Sequence, residues 1–569
     1  MNAQSKSDFT QFDAIVIGSG ITGGWAAKEL CEAGLKVLML ERGRNVEHIK
    51  DYTTEHKAPW EMQFRGEGSR QEQQRDYALQ STHWLFNEYS QQYFVKDVDH
   101  PYISDPEHPF KWYRGYQVGG RSLIWGRQSL RWSDLDFEAN ARDSHGIDWP
   151  IRYRDIAPWY DYVEDFIGVS GEALGLPQLP DGKFLPPMPF NCAEQFFKEK
   201  VEATYTDRVI AMGRAAVNTV PHRGRGACHY CGPCERGCSV GAYFSTQSST
   251  LPAARATGNL TLKPDQIVKS INYDNDAERA SSVSVINANS HVRRNYTARV
   301  IFLCASTVAS NHILLNSRSE SFPNGLGNSS GTLGHYLMDH AFAVAVTARF
   351  PGMRDRYFYG NRPNTIYVPR FRNLADSEQT DGFIRGYAYQ GRAWRPGWRR
   401  GYSLPGFGEG FKQELRRPGP WVLVLVTEGE CLPRYKNAIE LDENLTDKWD
   451  IPQIRIRFDW GENELKLAED GRQQAVTMAE TAGCEILSSS NQLMPGGAGI
   501  HEMGGIRMGH NPDESVLNGY NQMHEVPNVF ITDGSCMTSS GWTNPSLTYM
   551  ALTARACEYA VEQLKTGVI

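Results

Sequence analysis

The sequence predicts an α/β protein with one Rossmann-like domain and a second, α+β domain built on an antiparallel sheet. Three observations support this fold class. An apolar run at residues 12–17 leads through a glycine-rich turn and a helical pattern into another apolar run at 36–40. Alternating hydrophobic segments typical of strands recur between 341 and 489. At 569 residues, the chain is also too long for one simple core.

Composition excludes several classes of function. The formal net charge of -7 does not indicate a basic surface for binding phosphates, so no nucleic acid partner is expected. No apolar run approaches about 20 residues, and no transmembrane segment is predicted. The polar N-terminus runs directly into the first strand without the charged and apolar regions of a secretory signal. We therefore expect no export signal on this chain.

The turn after the first strand has the glycine spacing of a dinucleotide-binding fingerprint. Gly18 permits a tight turn, Gly20 lets backbone N–H groups approach a pyrophosphate, and Gly23 lets the helix pack closely on the strand. The N-terminus of that helix then faces the phosphates. Glu41, at the end of the second strand, is placed to accept hydrogen bonds from an unphosphorylated ribose. The alternative is a plain glycine turn with a solvated Glu41, and this unit alone does not separate FAD from NAD.

Further motifs occur along the chain in a fixed order. They are Val118–Trp125, Arg299–Asn316, Gly334–His340, Ile500–Gly509, Val529–Ser535 and Asn544–Thr548. Together with the glycine turn, they resemble the signature segments of the glucose-methanol-choline (GMC) oxidoreductase family over residues 12 to 556. The resemblance implies an FAD-binding domain of the p-hydroxybenzoate-hydroxylase-like type. It also implies noncovalent FAD, because Ile124 stands where some members carry a flavin-linked histidine.

By this resemblance, the flavin contacts fall on Gly18, Gly20, Ile21, Thr22, Gly23, Glu41, Arg42, Gly119, Gly120, Ser122, Trp125, Ile267, Val268, Cys304, Ala305, Asp533, Gly534, Asn544, Pro545 and Ser546. The FAD-binding domain is expected to be discontinuous and to comprise residues 1–50, 111–150, 220–340 and 490–569. The substrate-binding domain and its covering segments are expected at 51–110, 151–219 and 341–489.

His501 and Asn544 match the catalytic pair of the family. Hydride transfer from an alcohol needs a base for the hydroxyl proton and a second polar group that orients the oxygen. An imidazole suits the first role, and an amide can donate to the oxygen without competing for the proton. The alternative is a structural histidine in a glycine-rich loop and an asparagine that only caps a helix. No chemistry is predicted for His335, His340 or His510.

Four cysteines crowd into residues 228–238 of the predicted FAD-binding domain, with spacings x2, x2 and x3. This is the spacing of a bacterial ferredoxin run, although serine follows where the ferredoxin has proline. The predicted ligands are Cys228, Cys231, Cys234 and Cys238. By the resemblance, Cys228, Cys234 and Cys238 reproduce a three-cysteine [3Fe-4S] pattern, and the additional Cys231 leaves a [4Fe-4S] cluster open. A structural zinc site is the alternative.

The cysteine run and residues 112–132 most resemble the catalytic subunit of glucoside 3-dehydrogenases. The expected activity is therefore oxidation of a sugar or glycoside hydroxyl at C3, giving a 3-keto sugar. Gluconate, fructose and sorbitol dehydrogenases are near alternatives. An oxygen-reducing sugar oxidase with a zinc site and an electron-transfer flavoprotein without alcohol oxidation are the rivals.

The same resemblance implies a small accessory subunit and a cytochrome c-type electron acceptor. A partner that bears an export signal would carry the chain to the periplasm, and otherwise it would stay in the cytoplasm.

Overall fold

The structure is a computed structural model, and it describes residues 12–375, 380 and 382–569. Residues 1–11, which open the predicted FAD-binding domain, lie outside the described part. The strands are β1 Phe12–Ile17, β2 Val37–Leu40, β3 Ile103–Ser104, β4 Ala211–Met212, β5 Leu260–Lys263, β6 Gln266–Asp274, β7 Arg279–Asn287, β8 Arg293–Tyr296, β9 Ala298–Leu303, β10 Ala341–Arg349, β11 Ile366–Val368, β12 Tyr387–Trp394, β13 Val422–Gly429, β14 Ala438–Thr446, β15 Pro452–Arg457, β16 Glu485–Ser489 and β17 Val529–Ile531. The helices are α1 Ile21–Glu32, α2 Arg70–Asp76, α3 Asp134–Phe137, α4 Ala139–Asp143, α5 Tyr153–Ile167, α6 Cys192–Thr204, α7 Thr250–Ala256, α8 Thr307–Asn316, α9 Gly408–Arg416, α10 Glu462–Thr481 and α11 Ser546–Thr566.

A five-stranded parallel sheet forms the first layer, in the order β17-β9-β1-β2-β5. Its central strands are almost wholly buried, as expected for a parallel sheet covered on both faces. Helix α1 packs closely on the sheet because Gly23 has no side chain. A Cβ there would lie 2.0 Å from the carbonyl oxygen of Gly18. The predicted strand–turn–helix–strand unit is therefore present at residues 12–40.

The second domain is a six-stranded antiparallel sheet in the order β16-β10-β13-β12-β11-β4. Strands β10, β13 and β12 pair over almost their whole length, with Ala341 and Tyr387 both opposite Gly429. The amphipathic helix α10 buries its apolar face against the sheet, including Leu467, Ala475 and Met478. The parallel sheet and this antiparallel sheet confirm the predicted fold class.

Two smaller sheets join the main layers. One has the order β14-β15-β3, and the other is the meander β6-β7-β8. Helix α5, predicted as a covering segment, packs on the parallel-sheet domain through edge-to-face ring contacts of Tyr162 and Phe166 with Trp25. Among the described residues, no helix combines the length and the apolar character needed to cross a membrane.

Candidate active site

A cavity of about 630 Å³ lies between the parallel and the antiparallel sheets. The carboxyl ends of β1 and β2 contribute Ile17 and Leu40, and the far wall includes Gln390 and Val424 of the antiparallel sheet. Ligands of open α/β sheets bind outside the carboxyl ends of the strands. The fold therefore places a deep binding site where the sequence motifs converge.

The glycine turn forms one end of this cavity. Gly18 has a φ of +95°, and a Cβ there would lie 2.4 Å from the carbonyl oxygen of Cys304. A Cβ on Gly20 would meet no atom within 4 Å, so the backbone is open to a ligand. No side chain caps the N-terminus of α1. Its free N–H groups can therefore bind an anion such as a pyrophosphate.

Glu41 is held in place by the same turn. Its carboxylate accepts hydrogen bonds from the Ser19 backbone N–H at 3.1 Å, the Ser19 hydroxyl at 2.5 Å and the Gly43 N–H at 2.9 Å. Burial raises the pKa of the Glu41 carboxyl, and these donors lower it. The neighbouring Arg42 guanidinium lies over the rings of Tyr116 and Trp449. The flat guanidinium and the aromatic rings suit contact with the adenine and ribose of a bound dinucleotide.

Most of the predicted flavin contacts lie on the cavity wall. They are Gly18, Gly20, Ile21, Thr22, Glu41, Arg42, Gly120, Ser122, Trp125, Val268, Cys304, Ala305, Asp533, Gly534, Asn544, Pro545 and Ser546. Gly23, Gly119 and Ile267 are not on the wall. Gly23 packs α1 on the sheet, Gly119 donates its N–H to the Ser19 hydroxyl, and Ile267 is buried in a separate cluster.

His501 and Asn544 meet at the other end of the cavity. The Asn544 amide nitrogen lies 3.3 Å from Nε2 of His501. The Asn544 amide oxygen accepts a hydrogen bond from Gln390 Nε2 at 3.1 Å. Because Gln390 occupies the oxygen, the amide nitrogen is turned toward the histidine and the cavity. Gln390 thus fixes the orientation of the predicted catalytic asparagine.

His340 determines which nitrogen of His501 carries a proton. Nε2 of His340 lies 3.0 Å from the Gly541 carbonyl oxygen, which can only accept, so that nitrogen is protonated. Burial lowers the pKa of His340 to about 4, and the ring is neutral, with Nδ1 as an acceptor. Nδ1 of His501, 2.8 Å away, must then donate to it. The lone pair of His501 is therefore on Nε2, where it accepts a hydrogen bond from the Asn544 amide at 3.3 Å.

Two buried carboxyl groups support the histidines. Asp339 accepts hydrogen bonds from the backbone N–H groups of Gly499 and His501 at 3.0 and 3.1 Å, which fixes the loop that carries the ring. Glu428 Oε1 lies 3.5 Å from His501 Nδ1, and Gln390 Nε2 donates to its other oxygen at 2.6 Å. Burial raises the pKa of Glu428 to about 8, so the carboxyl is neutral at pH 7.

Several of these partners are not predicted from the sequence. His340 lies in the motif at 334–340, but no chemistry was predicted for it, whereas its Nδ1 contacts the catalytic candidate directly. His335 stacks on Tyr435, and His510 is exposed. Gln390 and Glu428 carry no motif, and only the pairing of β12 with β13 brings them to the cavity.

Comparison with known proteins settles the family. The two parts of the GMC oxidoreductase model match residues 12–342 and 433–553, which together cover more than half of the chain. The chain belongs to the GMC oxidoreductase family. It is therefore an FAD-dependent oxidoreductase that acts on alcohol CH–OH groups.

Two curated relatives align over nearly the whole chain. A 2-methyl-1,2-propanediol dehydrogenase from Mycolicibacterium austroafricanum is 29% identical over 96% of this chain and 95% of its own length. The fructose dehydrogenase large subunit of Gluconobacter japonicus is 24% identical over 98% of both. A formate oxidase from Aspergillus oryzae has a TM-score of 0.62 at 13% identity, covering 99% of this chain and 100% of its own. The similarity to the formate oxidase shows the fold alone.

The cysteine loop of this GMC oxidoreductase is built by glycine conformations. Gly232 and Gly237 have φ values of +100° and +109°, and a Cβ on either would collide with Asn361 or Tyr52. The Tyr230 N–H donates to the sulfur of Cys228 at 3.4 Å. Cys238 accepts from the backbone N–H groups that follow the loop. Hydrogen bonds of this kind to sulfur are a feature of thiolate-ligated clusters.

The four cysteines of the loop are free thiols that differ in burial. Cys231 is exposed, Cys228, Cys234 and Cys238 are partly buried, and burial raises the pKa of Cys234 to about 11. No three of their sulfur atoms lie within 4.8 Å of one another; among the described residues, the ligand atoms of His340, Glu428 and His501 alone meet that distance.

The pH dependence of flavin reduction should follow His501. Burial, with the nearby His340 and Arg121, lowers the pKa of His501 well below 6.5, so its base form persists into acid. We expect the second-order rate constant for flavin reduction by an alcohol to stay level from pH 8 to below 6.5. Anaerobic stopped-flow measurements at each pH would check this, with FAD retention as the control. An acid limb with an apparent pKa of 6.5 or higher would contradict it.

Proposed function

We propose that this enzyme is a dehydrogenase that oxidises a secondary hydroxyl of a sugar or glycoside, at C3 of glucosides, to a 3-keto sugar. Its electrons leave through an iron–sulfur cluster on the cysteine loop to an external acceptor. The observation that carries the proposal is the contact between the segment after that loop and the active-site wall. Segment 243–246, five residues beyond Cys238, is bonded to segment 122–125, which lines the cavity.

Three hydrogen bonds make this contact. The Tyr243 hydroxyl donates to the Leu123 carbonyl oxygen at 2.9 Å, and Trp125 Nε1 donates to the Phe244 carbonyl oxygen at 3.0 Å. The Thr246 N–H donates to the Ser122 hydroxyl at 3.1 Å. Ser122 and Trp125 both line the cavity. The segment that directly follows the cysteine loop is therefore hydrogen-bonded to the wall of the cavity.

The residues present fit a cluster better than one zinc ion. Zn–S bonds of about 2.3 Å in a tetrahedron hold sulfur atoms about 3.8 Å apart. No three sulfur atoms of the loop lie within 4.8 Å of one another, and the cysteine spacing is that of a ferredoxin-like cluster. The backbone donors to Cys228 and Cys238 would stabilise thiolate ligands. An oxygen-reducing oxidase with a structural zinc site is the alternative function.

The chain's own groups account for the proton and for orientation. His501 would accept the hydroxyl proton on Nε2, and its Nδ1 would remain bonded to His340. The Asn544 amide, held by Gln390, would donate to the alcohol oxygen and turn the carbinol hydrogen toward the flavin site. FAD, when bound, supplies the hydride acceptor. The alcohol thus loses a proton from oxygen and a hydride from carbon, two electrons in total.

A small accessory subunit and a cytochrome c-type acceptor are part of the proposal. Support comes from the relative in Gluconobacter japonicus, which is named as a large subunit. Co-export with a signal-bearing partner would place the enzyme in the periplasm, and a cytoplasmic location is the alternative. Gluconate, fructose and sorbitol remain alternative substrates.

An anaerobic titration tests the proposed function. We expect the purified protein to contain iron and sulfide, and we expect methyl glucoside to bleach the flavin absorbance. The matched 3-deoxy-3-fluoro sugar, which lacks the reacting hydroxyl, should not bleach it. Acid precipitation of the same preparation should release yellow flavin into the supernatant, because Ile124 offers no covalent link.

The outcomes separate the hypotheses. Zinc without iron, together with oxygen consumption, would favour the oxidase. If gluconate, fructose or sorbitol bleached the flavin and the glucoside did not, the enzyme would be a dehydrogenase of that alternative substrate. A flavin that no sugar or polyol bleaches would contradict the dehydrogenase.

A further inference from the structure

Arg127 is a buried cation without a carboxylate partner. Its side chain lines the cavity, the residue is 8% exposed, and it forms no ion pair with a carboxylate of any described residue, although its charge partly offsets the burial that raises the pKa of the nearby Cys228 and Cys234 thiols. Its Nε has no hydrogen-bond partner, and its guanidinium lies 4.6 Å from the centre of the Tyr243 ring. An unpaired charge is costly to bury, so such a group calls for an anion.

Arg392 presents a second guanidinium to the same cavity, on a side chain that is also exposed to solvent. It follows Gln390 by two positions on β12, so the two side chains project from one face of the sheet about 7 Å apart. Arg392 lies over the Trp394 ring, and no described residue pairs with it. The nearest acid, Glu194, is already held by both terminal nitrogens of Arg362 at 2.7 Å.

Local structure brings the two arginines together. Gln128, the next residue after Arg127, donates to the Thr365 hydroxyl at 2.8 Å. Thr365 directly precedes β11, where Ile366 pairs with Gly391, so it lies beside Arg392 in the register. All of these except Ile366 line the cavity. Arg127 and Arg392 therefore lie in the same region of the cavity wall.

Other arginines on the cavity wall differ in having acidic partners. Arg42 pairs with Asp447 at 3.6 Å, Arg114 with Asp97 at 3.4 Å, and Arg121 with Glu502 at 2.8 Å. These three ion pairs satisfy their charges within the protein. No carboxylate of the described residues pairs with Arg127 or Arg392, which leaves both guanidiniums available to an anionic ligand in the cavity.

We propose that Arg127 and Arg392 form an anion subsite that binds a carboxylate on the substrate. The preferred substrates would then be sugar acids or glycosides of sugar acids, with the carboxylate at the arginines and the reacting hydroxyl at His501 and Asn544. A guanidinium binds a carboxylate through two parallel hydrogen bonds, which fixes position as well as charge. This inference rests on the proposed sugar oxidation and narrows its substrate class.

A matched pair of glycosides tests the subsite. Methyl glucuronide differs from methyl glucoside only in carrying a carboxylate in place of the primary alcohol. We expect the glucuronide to reduce the flavin with an apparent Kd at least tenfold lower, a difference of about 1.4 kcal/mol. Arg392→Gln and Arg127→Gln should each lower that preference at least tenfold, and Arg→Lys at either site should restore part of it. Arg416→Gln, on the exposed helix α9, is the control for net charge.

The outcomes also separate the subsite from the proposed function. Equal affinity for both glycosides, or a preference that survives Arg392→Gln, would overturn the subsite while flavin reduction still upheld the dehydrogenase. If neither glycoside reduced the flavin, perturbation of the oxidised flavin spectrum would still measure binding. Arginine-dependent binding of the glucuronide would then support the subsite alone. If Arg127→Gln lost iron but kept the preference for the glucuronide over the glucoside, Arg127 would belong to the cysteine loop and not to the subsite.

Discussion

Replacing His501 with glutamine is expected to slow flavin reduction by an alcohol substrate about 10²- to 10⁴-fold, the usual contribution of general base catalysis. Glutamine can still occupy the space beside Asn544, but it cannot accept the hydroxyl proton. The lone pair on Nε2 exists because His340 accepts from Nδ1 at 2.8 Å. Anaerobic stopped-flow measurement of flavin bleaching gives the rate without involving any external acceptor.

The matched control is His335→Gln. His335 lies in the same predicted motif as His340, but it stacks on Tyr435 at the surface. We expect its reduction rate to stay within about twofold of wild type, as for most surface substitutions. Both variants should retain FAD, because neither ring lies near the glycine turn. A His501→Gln enzyme that reduces its flavin at the wild-type rate would remove His501 from the role of base.

The flavin end of the site could be predicted from sequence because its geometry is local. A tight turn, a close approach to phosphate and a close helix contact each require glycine at a fixed position, as Gly18, Gly20 and Gly23 show. The helix begins directly after this turn. Such requirements are visible in a few adjacent residues, whatever the rest of the chain does.

The substrate end could not be predicted in the same way. Gln390 and Glu428 lie on neighbouring antiparallel strands, and only the register of β12 with β13 aligns both with Asn544. A shift of one residue in that register would turn one of the two side chains to the opposite face. Arg392 depends on the same register. Sequence spacing within one strand carries no information about its partner.

The role of His340 could not be predicted from the sequence for a related reason. Its partners, Gly541 and His501, are about 160 to 200 residues away in sequence. Burial also changes its chemistry, because the lowered pKa makes the ring neutral and leaves Nδ1 as an acceptor. Neither the long-range contact nor the burial is apparent from the motif around it.

Replacing Cys234 with serine should lower the iron content strongly and reduce turnover with a one-electron acceptor at least tenfold. Serine is nearly isosteric, but its hydroxyl is a poor substitute for a thiolate on iron. Reduction of the flavin by sugar should continue, because His501 and Asn544 line the cavity and the cysteines of the loop do not. Iron and sulfide analysis, flavin bleaching and acceptor-linked turnover would be measured on the same preparation.

Cys192→Ser is the matched control, since Cys192 is a partly buried thiol at the start of α6 outside the cysteine loop. It should retain its iron and its turnover. The decisive comparison is between flavin reduction by sugar and electron transfer to the external acceptor. We expect the cysteine loop to serve only the second of these half-reactions, through the contact of segment 243–246 with segment 122–125. Full turnover with unchanged iron in Cys234→Ser would contradict a cluster ligated by this cysteine. Loss of both half-reactions together with FAD would instead mean that the loop holds the cavity wall in place.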